Sequence, residues 1–299
     1  MEKFLTRSVA LLTPSHRKDI ERFALLCESI DRCVTGHTKH YVLVTDDCMS
    51  EFSRFGGANR VVLPGSKILP KWLKLMPQFL RRDGRRVWWS FRSGPVHGWH
   101  IQQVLKIFVA AHFPEDRYCI IDSDNVFFRP FDASAYACSD QTPLYVDRRA
   151  IAADAPLHAM WTRNCDKLLG QSTTRFPADD YIGNAIVWDK RSVRSMIRAI
   201  EATTERSWVE ALCRTRAFSE YLLYGHFVRN SPAQFAAHRI VTESLTSAYW
   251  DRAPLDAAAI ASMVEKSAMA KVALCVASIS NTPVATIREA LGDSTTVFA

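Results

Sequence analysis

Three short apolar runs, Ser8–Thr13 (SVALLT), His40–Thr45 (HYVLVT) and Tyr118–Ile121 (YCII), stop abruptly at proline or aspartate, and the stretches before the second and third carry apolar residues at helical spacing. An unbroken apolar run leaves no polar face for water, so a strand built from it must be covered on both sides. Ile20, Phe23, Ala24, Cys27 and Ile30 form one helical face, and Ile101, Val104, Leu105, Phe108 and Val109 form another. Arg60–Leu63 adds a further candidate strand. The expected class is α/β, with a mainly parallel sheet flanked by helices and a smaller antiparallel segment. After Pro130 the spacing predicts a strand at Ile182–Trp188, helices at Arg191–Thr203 and Phe218–Val228, a helix near Leu255–Lys266 and a strand near Val272–Ile279.

With 299 residues, 48% of them hydrophobic and only 11 glycines, the chain has the makings of one folded domain with little disorder. Residues 8–130 read as a nucleotide-binding half, 131–250 as an acceptor half and 251–299 as a C-terminal cover. Residues 64–99 read as a basic and aromatic excursion, carrying prolines at 64, 70, 77 and 95, arginines at 81, 82, 85 and 86, and the pair Trp88 and Trp89. The formal charge of +7 implies attraction to something anionic without choosing among nucleotide, acidic glycan, nucleic acid or membrane surface. The eight cysteines contain no C-x-x-C pair, which suits reduced thiols and a cytoplasmic location. The N-terminal apolar stretch runs straight into the first strand and reads as no cleaved signal, and Ala268–Ile279, broken by Lys271, is too short to span a bilayer. At most peripheral membrane contact is expected.

The third apolar run ends in Asp122-Ser123-Asp124. In open α/β sheets ligands gather where strands end at their carboxyl edge. Two carboxylates two residues apart at such an edge can turn toward one hard cation, Mn²⁺ or Mg²⁺, which prefers oxygen ligands. The plainer alternative is a turn completed by Asn125. The β-α-β lead-in, the apolar residues before the pair and the apolar VFFRPF after it favour the metal reading.

On these residues the chain resembles GT-A-type nucleotide-sugar glycosyltransferases. The likeness lies in SVALLTPSHRKDIERF, HYVLVTDD, the helix WHIQQVLKIFVA and the strand YCIIDSDNVFFRPFD, with YIGNAIVW similar to the segment lining the acceptor side. The resemblance implies a metal-dependent transfer of a hexose-like sugar from a nucleoside-diphosphate donor to a glycan or other hydroxyl acceptor, acidic ones included, in surface glycan synthesis. It implies Asp122 and Asp124 as metal ligands, with His238 (or His226) as a late third ligand. Thr13, Ser15, Arg17, Asp46 and Ser123 would contact the nucleoside, and Lys106, on the polar side of its helix, would reach a phosphate. Glu220, set among apolar residues, would act as general base in an inverting transfer, with Asp179 and Asp180 as rivals. A retaining transfer needs no such base, and the sequence leaves the stereochemistry open.

The strongest rival is a phosphatase of the haloacid dehalogenase type, in which Asp122 attacks phosphorus, Asp124 serves as acid and base, and Asp179 or Asp180 completes a Mg²⁺ site. That motif normally opens its chain, whereas here more than a hundred residues precede it. A nucleotidyltransferase would carry glycines in the loop TPSHRKD, and an EF-hand would carry one after its acidic ligands. A non-catalytic nucleotide binder, or a nucleic-acid binder using the arginines and tryptophans, would need no Asp124; nucleic acid is not the expected partner.

Overall fold

The computed structural model describes residues 7–77, 79 and 86–292. Arg81, Arg82 and Arg85 of the excursion lie outside them.

The three apolar runs form neighbouring strands. Val9–Pro14 (β1) is followed by the helix Ile20–Cys33 (α1), then by His40–Val44 (β2) and Arg60–Pro64 (β3). The helix Gly98–His112 (α2) leads into Arg117–Ile120 (β4), and Asn125–Phe127 (β5) leaves the sheet just past the acidic pair. Ile186–Asp189 (β6) returns to pair antiparallel with β4, giving a five-stranded sheet in the order β6-β4-β1-β2-β3 whose other pairings are parallel. Two further helices, Lys190–Thr204 (α3) and Glu220–Asn230 (α4), pack with α2.

The pleat explains why the runs are unbroken. Ala10, Leu12, Tyr41, Leu43, Tyr118 and Ile120 enter the core beneath α2, α3 and α4. Their alternates Val9, Leu11, Val42, Val44, Cys119 and Ile121 enter the core beneath α1. Each valine, leucine or isoleucine so buried contributes roughly 1.5–3 kcal/mol, so both faces gain from the same short segment.

Two expectations need correction here. Helix α2 is buried nearly all round: Lys106, read as lying on its polar side, and Gln103, one turn before it, are as inaccessible as its apolar face. The C-terminal segment is more than a cover, because its strand Ala273–Val276 (β7) pairs antiparallel with β5 and so reaches the acidic pair. The excursion forms a small antiparallel sheet of Lys74–Leu75, Val87–Trp89 and Val96–His97. All eight cysteines are free. Among the described residues no helix is long and apolar enough to cross a membrane.

Candidate functional site

The carboxyl ends of β1 and β2 open into a cleft of about 660 Å³, closed on one side by the first turns of α2. Ser15, His16, Arg17, Lys18, Thr45 and Arg86 are among the residues that line it. Ser15 is buried, and its hydroxyl has no partner among the described residues. An unpaired hydroxyl in a cleft wall is a group still to be satisfied, as a ligand would do. Arg86 donates to Thr45 Oγ1 (2.6 Å) and to Asp47 Oδ2 (2.5 Å), and Arg17 pairs with Glu51 at 2.9 Å. Burial, reinforced by Arg86, pushes the His16 imidazole down to about 4, so it is neutral at pH 7.

Beside this cleft stands the acidic pair. Ser278 lines the cleft, and its backbone N–H donates to Asp124 Oδ2 at 3.3 Å. The Cys275 thiol donates to the other oxygen at 3.6 Å. Burial first, and the charge of Asp122 second, push the Asp124 carboxyl up to about 6. Asn125 donates to the Asp122 carbonyl (2.9 Å) and to Asn184 Oδ1 (3.2 Å), tying the turn to the loop before β6.

Lys106 occupies the centre. Its ammonium lies 2.9 Å from Asp122 Oδ1, 2.9 Å from Glu220 Oε1 and 3.1 Å from the Tyr221 hydroxyl. It also sits 4.8 Å from the Tyr221 ring centre. Burial alone would lower its pKa; Asp122 and Glu220 more than offset that and hold it well above the usual lysine value. Gln103, one turn back, accepts the Glu220 backbone N–H at 3.0 Å and anchors the start of α4. Helix periodicity therefore brings Gln103 and Lys106 to the same partner helix. Asp122, Asp124 and Glu220 carry three negative charges against one positive charge on Lys106, an excess of two when all are ionised.

The structure thus brings Asp122, Lys106 and Glu220 together, while Asp124, across the buried Ser123, turns its two oxygens to Cys275 and Ser278 instead. Ser15 and Arg17 do line the neighbouring cleft. Other sequence expectations fare differently. Thr13 is fully buried, and its hydroxyl accepts from His40 inside the core, where His40 in turn accepts from Arg60 Nε. Asp46 turns to Ser66, accepting its backbone N–H at 3.1 Å as well as its hydroxyl, and Asp47 lines the cleft in its place. His238 belongs to the other end of β4. Its Nδ1 bonds Gln234 O and its Nε2 bonds the Tyr224 hydroxyl, both at 2.7 Å, and that hydroxyl accepts the backbone N–H of Asp189, the residue paired with Arg117. Both ring nitrogens are spent, a strand's length from the acids. His226 pairs with Asp166 at 3.3 Å. Among the described residues no group of three or more histidine, cysteine or acidic side chains is placed to share one metal ion.

Asp179 accepts the Arg149 backbone N–H at 3.0 Å. Asp180 accepts from Ile182 N at 2.9 Å and lies 3.3 Å from His158, with burial raising its pKa. The His158 ring stacks on Trp161, and Trp161 stacks on Trp99 at the cleft rim. Sequence reasoning missed Cys275, Ser278 and Asn184. None of them carries a local motif; each is positioned by strand pairing over long separations.

A mainly parallel mixed sheet flanked by helices, with a cleft and an acidic turn at its carboxyl edge, defines an α/β protein whose build is compatible with a Rossmann-like fold. Within that class the chain belongs to DUF6492, a family of unknown function, whose family model matches residues 7–296. No curated protein matches the chain.

Proposed function

We propose that this protein is a metal-dependent glycosyltransferase of the GT-A type that uses a nucleoside-diphosphate sugar. The observation that carries the reading is the doubly negative acidic turn, Asp122 and Asp124 with Glu220 and Lys106, standing beside a cleft whose rim carries Arg17, Lys18 and Arg86. An excess of two negative charges suits a divalent cation, and the cationic rim suits a diphosphate.

The donor set fits Mn²⁺ or Mg²⁺. Such ions commonly take one or two carboxylates from the protein and fill the remaining positions with water and substrate phosphates, so a third protein ligand is not required. Asp122 and Asp124 would hold the ion. When bound, it would neutralise charge developing on the departing diphosphate.

The chain's own groups have separable tasks. Ser15 offers its unpaired hydroxyl to the nucleoside side of the cleft, and Lys18 has no ion-pair partner among the described residues. Lys106 fixes the Asp122 carboxylate, and Glu220 fixes Lys106. Glu220 is thereby a positioning residue, since its carboxylate is already engaged by an ammonium and shut away from solvent. Asp180 is the better candidate to receive a proton from an acceptor hydroxyl, because burial raises its pKa and it stands at the end of the Trp99–Trp161–His158 stack.

The test is a thermal-shift panel of nucleoside diphosphates with and without Mn²⁺, on wild type and Asp124→Ala. Stabilisation by UDP or GDP that needs the metal and disappears in the variant is the expected result. Nucleotide binding indifferent to both metal and Asp124, or a phosphoryl-mimic adduct on Asp122, would overturn it.

A further inference from the structure

Beyond Arg86, Trp88, His97 and Trp99, which line the cleft, the excursion carries a charge and a shape that the cleft does not use. Between residues 64 and 99 there are eight lysines and arginines and one acid, a net of +7, which equals the formal charge of the whole chain. The remainder of the protein is therefore balanced, and its entire excess of positive charge belongs to this one segment.

The small sheet shows how part of that charge is presented. Alternation along its strands sends Leu75, Trp88 and Val96 inward to the main core. The opposite face then carries Lys74 directly across from Trp89, and Val87 across from His97. Trp89 makes an edge-on contact with Phe91 at 4.9 Å and 75°, and Phe91 is 97% exposed. Lys71 and Arg92 are exposed as well, with the Arg92 guanidinium 5.7 Å from the Trp72 ring centre. Phe79, in the same excursion, is 85% exposed. A phenylalanine so fully in water has an apolar ring with nothing to cover it.

We infer that this face docks on an anionic lipid bilayer. Tryptophan and phenylalanine beside lysine and arginine is the composition that settles at a headgroup boundary, rings among the upper chains and cations at the phosphates. The edge-on pair presents a wedge rather than a flat platform, which suits insertion between lipids and not the stacking of bases. His97 of this face also lines the cleft, so docking brings the cleft mouth to the membrane surface. The inference does not depend on the glycosyltransferase reading.

Co-sedimentation of the full chain with vesicles tests it, comparing phosphatidylcholine alone with an equal mixture of phosphatidylcholine and phosphatidylglycerol. Binding to the mixed vesicles, little binding to the neutral ones and release in high salt are expected. Lys74→Gln should weaken partitioning about fivefold, and the pair Trp89→Ser with Phe91→Ser by about tenfold or more. All three side chains are at least partly exposed, and each variant's melting temperature confirms folding. Met269→Ser, removing another residue that is 83% exposed, should change nothing. Equal binding to both vesicle types, insensitivity to the Trp89 and Phe91 changes, or preference for a single-stranded oligonucleotide over mixed vesicles would overturn the inference.

Discussion

The ammonium of Lys106 lies 2.9 Å from the carboxylate of Glu220, 114 residues further along the chain, and both groups are buried. One pair thus joins helix α2 to helix α4, and through the second contact of Lys106, to Asp122, it joins both to the end of β4.

Such a bridge is costly to break from one side. Lys106→Met leaves Glu220 shut away without a counter-charge, and an uncompensated buried charge costs about 3–5 kcal/mol. Glu220→Gln should cost less, about 1–3 kcal/mol, because Lys106 keeps Asp122 and the amide can still accept a hydrogen bond. Asp122→Asn should cost least, since that side chain is 36% exposed. Urea unfolding of the three variants should return this order. A Lys106→Met variant as stable as wild type would mean that the network is hydrated.

Helix α4 approaches the loop before β6 too closely for a side chain at Gly225. A Cβ there would lie 2.1 Å from Tyr181 Cγ and 2.4 Å from both neighbouring ring carbons. Tyr181 also packs edge-on against His226, so it has little room to retreat. Gly225→Ala should destabilise by about 1–3 kcal/mol, the usual cost of overpacking, although alanine is the better helix former. A thermal melt at or above that of wild type would refute this.

These two sites mark what the sequence could and could not disclose. The strands were legible because a two-sided sheet demands unbroken apolar runs, and the acidic pair was legible because it follows one. The burial of Lys106 was not, since a lysine between Leu105 and Ile107 looks the same whether its neighbour is water or a carboxylate more than a hundred residues away. Glu220 was singled out for its apolar flanks, yet those flanks could not show that an ammonium already holds it. Asp46 and Asp47 are indistinguishable by composition, and only the short helical turn after β2 decides which one faces the cleft. The helix Pro156–Leu169, which supplies His158 and Trp161, escaped notice because it follows irregular segments with no clear periodicity to mark its start.

Acid should loosen the protein well before general charge repulsion does. His40 is fully buried, and burial together with Arg60 keeps its pKa well below 6.5, while burial pushes His100 down to about 4. Below pH 6.5 the unfolded chain takes up protons that these folded rings refuse, so stability falls with pH at about 1.4 kcal/mol per unit for each histidine, down to about pH 4 for His100. Asp124 works the other way below about pH 6, because its folded carboxyl accepts a proton before the unfolded one does. His16, His37 and His238 are lowered by burial too and add losses of the same sign, while Asp19 and Asp180, raised by burial, add gains like that of Asp124; five histidines against three carboxyls leave a net decline. Urea midpoints measured from pH 7 to 4.5 should fall, and His100→Gln should flatten the curve; midpoints that hold or rise would contradict the buried, neutral state of these rings.

Asp124 itself should show stability and function pulling apart. Its carboxyl sits at about 6 rather than 3.8, so above pH 6 the folded protein keeps an ionised group that burial and Asp122 both disfavour, at a cost of up to about 3 kcal/mol. Asp124→Asn removes that charge while one amide oxygen can still accept the Ser278 N–H. The variant should therefore be more stable than wild type at pH 8, by about 1–2 kcal/mol once the weaker hydrogen bonding is allowed for. The advantage should shrink as pH falls from 6 toward 4, where the wild-type carboxyl is protonated in the folded state and soon in the unfolded one. The same substitution should abolish any stabilisation that Mn²⁺ confers with a nucleoside diphosphate, because an amide is a poorer ligand for a hard cation than a carboxylate. A residue kept only for the fold would not behave this way: its replacement would lower stability at every pH and leave the metal response intact.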